Sequence, residues 1–324
     1  MMRTISAISR ADAEALVSKL RALYLSARAT PLGRPRLRLG GAVLEGPPID
    51  KCRVRYLEPL PSRATFAAVD ASIRALLDLG SCIVVAAKVA AATWRRGVRV
   101  HSPDPRVRVT VVGGRREAGD WLARVEFEEA LRLLSRLREG DYLLLDRGLV
   151  AHPRVSEATR SLALRVVGEA LEAGIRVVGV PKRCSAKLSS GASAIGVVAR
   201  LASERFPGMP WYYYPLFSRS GPLLGDVAVA KFSEECDAAF RVDLAIGDDC
   251  DVGVALGEVA YVQDSCLPGY PHPLKAVHEE ARMSEHEVEC LRGAVLELLE
   301  AEGVLEEFAE GLSLPSFKER YLWG

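Results

Sequence analysis

Between Phe66 and Val180 the spacing of apolar residues changes period in a fixed order, and that order restricts the fold more than any other feature of the chain. Three β-type runs come first, at Phe66–Val69, Ser81–Thr93 and Val107–Val112, separated by gaps short enough for antiparallel hairpins. Gly97, Pro103 and Pro105 punctuate the second gap. The period then becomes helical, with Leu122, Val125, Ala130, Leu133, Leu134 and Leu137 on one stripe that ends near Gly140. A continuous apolar run at Tyr142–Leu145, a second helix from about Ser156 to Ala173 and a last strand at Arg176–Val180 complete the order βββαβαβ.

That order predicts an α/β fold of the RNase H-like kind, in which three antiparallel strands are extended by parallel ones through helical crossovers. The flanks read as additions. A peripheral helix is expected from Ser9 to Ala27, followed by a Pro-, Gly- and Arg-rich stretch to Ser62. Beyond Leu188 the chain predicts an apolar helix, the aromatic stretch Trp211–Tyr214, strands at Val227–Phe232 and Ala239–Leu244, and helices from about Ser284 to Glu310. We therefore expect one domain over residues 1–324: a core at about 60–290, a basic N-terminal extension at 1–60 and C-terminal helices at 284–324.

With 49% hydrophobic and 26% charged residues in 324, disorder and small disulfide scaffolds are excluded. The net charge of +1 says little about partners, but the first 55 residues carry a marked basic excess suited to phosphate. There is no Asn and a single Gln, Gln263, a depletion typical of proteins that work hot. The seven Cys form no CxxC pair, so small buried side chains are expected, with one disulfide possible in a hot-working protein. No signal-type apolar region opens the chain, and the longest apolar run, Cys82–Thr93, is interrupted by Lys88 and too short for a bilayer. A cytoplasmic protein with no membrane partner is expected.

Asp70 closes the first strand and Asp146 the fourth. In the expected sheet those strands are neighbours, so the two carboxylates would repel unless a divalent cation lies between them. A third ligand is expected from the intervening helix, where Glu126 and Glu129 share a face and Glu128 points elsewhere; spacing does not choose between 126 and 129. The segment Gly269-Tyr270-Pro271-His272-Pro273-Leu274 precedes a helix start that places His278 one turn inside. Lys182 and Lys187, past the fifth strand, are candidates to offset phosphate charge. Arg34, Arg36 and Arg38 alternate with Pro35, Leu37 and Leu39, so an extended chain presents all three guanidinium groups on one side, as a DNA-binding stripe or a charged edge strand.

Three of these segments resemble the motifs of the NurA family of archaeal and bacterial nucleases. Ala67-Ala68-Val69-Asp70-Ala71-Ser72 is similar to its "VDGS" motif, Leu143-Leu144-Leu145-Asp146-Arg147-Gly148-Leu149 to its "LLDGSL" motif, and Gly269–Leu274 with His278 to its "GYPxPL…H" motif. The likeness runs in order from about residue 60 to 290, with Ala71 and Arg147-Gly148 as departures beside the acids. The resemblance implies a manganese-dependent deoxyribonuclease, with one or two Mn²⁺ ions and Mg²⁺ as a substitute. It further implies a 5′-to-3′ exonuclease on single- and double-stranded DNA, with single-strand endonuclease activity, that resects DNA ends as a homodimer beside a HerA-type hexameric ATPase. It assigns Asp70, Glu129, Asp146, Tyr270 and His278 to the catalytic set, with Asp70, Glu129, Asp146 and His278 on the metal. For the dimer, exposed Leu296, Leu298, Leu299 and Phe308 in the C-terminal helices are candidate contacts.

Overall fold

The computed structural model describes residues 9–29, 33–182, 184–264, 266 and 268–305. Helix α1 (Arg10–Ala29) comes first, and the hairpin of β1 (Arg36–Leu39) and β2 (Ala42–Glu45) and the short β3 (Val54–Tyr56) follow it. Then come the long strands β4 (Thr65–Asp78) and β5 (Ile83–Arg95), the short β6 (Val98–His101) and β7 (Arg106–Val112). Helix α2 (Arg115–Leu134), β8 (Tyr142–Leu145), α3 (Glu157–Glu172) and β9 (Arg176–Gly179) complete the expected βββαβαβ order. The hairpin strand β6 is the one insertion into it, and both β6 and β7 pair with β5.

The sheet does not stop at β9. After α4 (Ala194–Arg205), strands β10 (Trp211–Phe217), β11 (Asp226–Lys231) and β12 (Phe240–Ala245) return antiparallel, so the main path runs β3-β10-β11-β12-β9-β8-β4-β5-β6. Ten strands thus share one mixed sheet, parallel only where β4, β8 and β9 meet. Helices α5 (Val252–Tyr261), α6 (His272–Ala281) and α7 (Glu285–Ala301) end the described chain.

The β8 sequence Tyr-Leu-Leu-Leu is apolar at every position because both of its faces are covered. Along β4 successive side chains enter opposite layers: Ala67 and Val69 meet α2 and α3, whereas Phe66 and Ala68 meet the layer of α5 and α6. Strand β4 runs on to Asp78 rather than ending at Asp70, because its far half keeps pairing with β5 and is covered by Met283, Val288 and the apolar side of α7. Leu296 and Leu299 of α7 pack into that cluster instead of lying exposed, and only Leu298 faces outward. Phe308 and the remainder of the expected C-terminal helices lie outside the described residues. All seven Cys are free and none is fully buried, contrary to the expectation for small apolar side chains; Cys52, for example, sits in an exposed single turn of 3-10 helix. Among the described residues no helix is long and apolar enough to cross a membrane.

Candidate metal centre

Parallel pairing puts Val69 opposite Leu145. The next residue of each strand, Asp70 and Asp146, therefore emerges side by side at the point where β8 gives way to a loop. Helix α6 lies over β4 and β5 and brings His278 to the same place, so that ligand atoms of Asp70, Asp146 and His278 fall within 4.8 Å of one another. His278 Nδ1 is 2.6 Å from Asp70 Oδ2 and 3.7 Å from Asp146 Oδ2. The Asp70 side chain also accepts the Ala71 N–H, at 2.8 Å.

Tyr270 donates its hydroxyl to Asp146 Oδ1 at 2.9 Å. Its ring is tilted against Phe240, and the turn that aims it depends on Gly269, whose φ of +91° and close approach to the Cys236 side chain exclude a Cβ. Lys182, in the loop after β9, places Nζ 2.6 Å from Asp146 Oδ2 and 3.1 Å from His278 Nδ1. An ammonium thus touches two of the three clustered groups, while its side chain remains 55% exposed and free to swing away.

The two helix carboxylates separate sharply, although both lie on the buried face of α2. Glu129 is held by Arg132 at 2.7 Å and by Arg106 of β7 at 3.4 Å, outside the Asp70, Asp146 and His278 group. Glu126 is also outside that group, and the two differ in their partners: Glu129 lies one turn further along α2, where Arg106 of β7 meets it. Glu126 pairs with Arg147 at 2.8 Å through Oε2, and its Oε1 is buried with no hydrogen-bond partner. Burial, together with the charges of Asp70 and Asp146, pushes its carboxyl up to about 7 despite Arg147. Asp70 is likewise raised, first by burial and then by Asp146, against the opposing pull of His278 and Lys182. Glu128 turns away to pair with Arg108, as its spacing predicted.

The loop carrying Asp146 is pinned from β12. Asp243, fully buried, accepts the Leu149 N–H at 2.8 Å and is itself gripped by Arg241 at 2.6 and 2.7 Å. No sequence pattern singled out this pair, since an Arg-x-Asp in a strand has no recognisable signature. The same holds for Arg147, whose guanidinium stacks over Phe127 as well as meeting Glu126.

Two clustered carboxylates and one imidazole, with the unpartnered buried oxygen of Glu126 behind them, form a hard oxygen-and-nitrogen donor set that fits a divalent cation of the Mn²⁺ or Mg²⁺ type. Asp70, Asp146 and His278 are the groups that would hold it.

The basic stripe lies apart from this cluster. Arg36 and Arg38 face outward from β1 while Leu37 and Leu39 are buried, and Arg34 is exposed in the same alternation. Lys187 bridges to Arg36 by backbone hydrogen bonds of 2.7 and 2.9 Å, so two basic segments distant in sequence meet on one exposed strip.

The family model of the NurA domain matches residues 64–210. The crystal structure of the NurA nuclease from Sulfolobus solfataricus superposes with a TM-score of 0.61 at 15% identity, covering 91% of this chain and 98% of that one. A second NurA structure gives 0.58 at 8% identity over 91% and 97% of the two chains. A NurA bound to dAMP and manganese gives 0.52 at 9% identity over 72% and 88%. No curated protein matches the sequence. Residues 64–210 thus match the NurA domain model, and the chain as a whole has the fold seen in the NurA nuclease structures.

Proposed function

We propose that the chain is a metal-dependent deoxyribonuclease whose centre is built from Asp70, Asp146 and His278 with Glu126 behind them. The observation that carries this reading is the convergence of two carboxylates, Asp70 within β4 and Asp146 just past β8, and an imidazole within 4.8 Å, beside a tyrosine hydroxyl and a lysine, in a chain with the NurA fold. When bound, a divalent cation supplies the charge that lets water attack a phosphodiester and the departing oxygen leave. Tyr270 fixes the orientation of Asp146 through its hydroxyl. Lys182 is long and exposed enough to exchange its contact with Asp146 for a substrate phosphate. His278 orients Asp70 through Nδ1. The manganese bound to a relative of the same fold supports Mn²⁺ as the ion, with Mg²⁺ as the alternative.

Glu126 replaces Glu129 in this proposal because it is the α2 carboxylate that shares the field of Asp70 and Asp146. The strip of Arg34, Arg36, Arg38 and Lys187 is assigned to the DNA backbone. The resemblance to the NurA family extends the reading to exonucleolytic 5′-to-3′ resection, single-strand endonuclease activity, a homodimer and a HerA-type ATPase partner.

Cleavage of a labelled oligonucleotide tests it. Asp70→Ala and Asp146→Ala should each reduce Mn²⁺-dependent cleavage by at least about 100-fold, or about 2.7 kcal/mol in the barrier, with circular dichroism unchanged. EDTA should stop the unaltered protein. Near-normal activity in either variant overturns the site.

A further inference from the structure

On the α2–α3 side of the loop that follows Asp146 lies a cavity of about 290 Å³ whose lining includes none of Asp70, Asp146 and His278. We propose that it binds a nucleoside monophosphate, as a free mononucleotide or as the phosphorylated terminal nucleotide of a strand; the link to a strand rests on the nuclease reading.

Three observations converge. First, the charge of the lining has one sign: Arg147, Arg160 and Arg241 contribute guanidinium groups, and no carboxylate lines the cavity. Arg147 and Arg241 are partly neutralised from behind by Glu126 and Asp243, whereas the partner of Arg160, Glu157, is a solvent-exposed residue at 3.2 Å that can yield to a stronger anion. The planar guanidinium fork matches phosphate geometry, and Arg147 already lies over the Phe127 ring, 5.1 Å from its centroid.

Second, the remaining lining suits an organic body rather than a bare ion. Phe127 and Val155 supply apolar surface, and His152 accepts the Arg154 N–H at Nδ1, which leaves its Nε2–H as a donor. The volume falls at the lower end of the range for small-molecule pockets, which admits one nucleotide and excludes a longer segment.

Third, the position is informative. Arg147 directly follows Asp146, and Pro181, also in the lining, directly precedes Lys182, so the cavity and the candidate centre share one loop pair. A strand whose last nucleotide enters the cavity carries its next phosphodiester toward Asp146. The departures from the family motif thus place an arginine where the cavity uses one.

The test is equilibrium binding of thymidine 5′-monophosphate to the full chain in EDTA, which separates the cavity from any metal. We expect binding, with thymidine and inorganic phosphate each at least about tenfold weaker. Arg160→Met should weaken the monophosphate at least about tenfold. Gly119→Leu is the second variant: Gly119 lines the cavity and a Cβ there meets nothing within 4 Å, so the substitution adds bulk at the lining and should block binding while favouring the helix. An oligonucleotide with a 5′-phosphate compared with its 5′-hydroxyl form, also in EDTA, assigns the source: a preference lost in Arg160→Met points to the strand end, and equal binding points to the free mononucleotide. Absence of monophosphate binding in EDTA, or binding that both variants leave unchanged, overturns the proposal even if the protein cleaves DNA. Conversely, binding in a protein that does not cleave removes the nuclease reading and leaves the cavity assignment standing.

Discussion

Glu126 makes a quantitative prediction because its carboxyl is fully buried and raised from an ordinary 4.5 to about 7 in the metal-free protein. A raised carboxyl keeps its proton in the folded state while the unfolded chain loses one above pH 4.5, so the folded state binds more protons and stability falls as pH rises. The loss begins near pH 4.5 and is complete just above pH 7. At about 1.4 kcal/mol per unit of pKa it amounts to about 3 kcal/mol. Glu126→Gln cannot ionise and removes this contribution, while Arg147 keeps Phe127 and its own partial exposure to water. In EDTA, guanidinium unfolding should therefore show the variant within about 1 kcal/mol of the parent at pH 5 and about 3 kcal/mol more stable at pH 8. Some pH dependence should remain from Asp70, which is raised in the same direction. The added stability should come with lost function: Mn²⁺ should stabilise the variant less than the parent, and cleavage should fall by at least about 100-fold. Equal pH dependence in the two proteins, or equal stabilisation by Mn²⁺, refutes the argument and returns the ligand question to Glu129.

Other perturbations separate the roles of the surrounding charges. Glu129→Gln loses pairs with the half-exposed Arg106 and Arg132, so stability should change by less than about 1 kcal/mol and cleavage by less than about threefold; a larger loss of cleavage would contradict the choice of Glu126. Lys182→Met removes the cation touching Asp146 and His278, and calorimetry should show tighter Mn²⁺ binding while kcat falls. Replacing Arg34, Arg36 and Arg38 together by Ala should weaken DNA binding regardless of sequence. It should also lower the slope of log affinity against log salt by about 2 to 3, at about 0.7–0.9 per phosphate contact; an unchanged slope would assign the stripe to the fold.

Local periodicity made the central half of the fold legible. The apolar runs at Phe66–Val69 and Tyr142–Leu145 carry the strand signal and the position of each acid at once, and the adjacency of the two strands follows from the βββαβαβ order, with Val69 opposite Leu145 in the structure. The extension of the sheet through β12, β11 and β10 was not legible, because an antiparallel return beside β9 depends on long-range pairing that no local pattern encodes. The choice between Glu126 and Glu129 was not legible for a similar reason. Both satisfy the same helical face, and the decision rests on which strand each turn overlies. Arg106, on another strand, captures one of them. The alternation of Arg34, Arg36 and Arg38 did fix which side chains face outward, but the meeting of Arg36 with Lys187 needed the folded chain.

The acceptance of the Leu149 N–H by Asp243, itself held by Arg241, has a consequence for how the chain can be divided. The stretch that matches the NurA family model ends at residue 210, before β11, β12 and α6. A fragment cut there would leave β9 as an open parallel edge, strip Phe66, Ala68 and Leu144 of their cover from Leu274 and Val277, and release the Asp146 loop from its anchor. It would also lack Tyr270 and His278. The smallest piece able to hold the cluster must therefore run from β4 through α6, and the recognisable motif region is an inseparable part of a larger cooperative unit rather than a transplantable module.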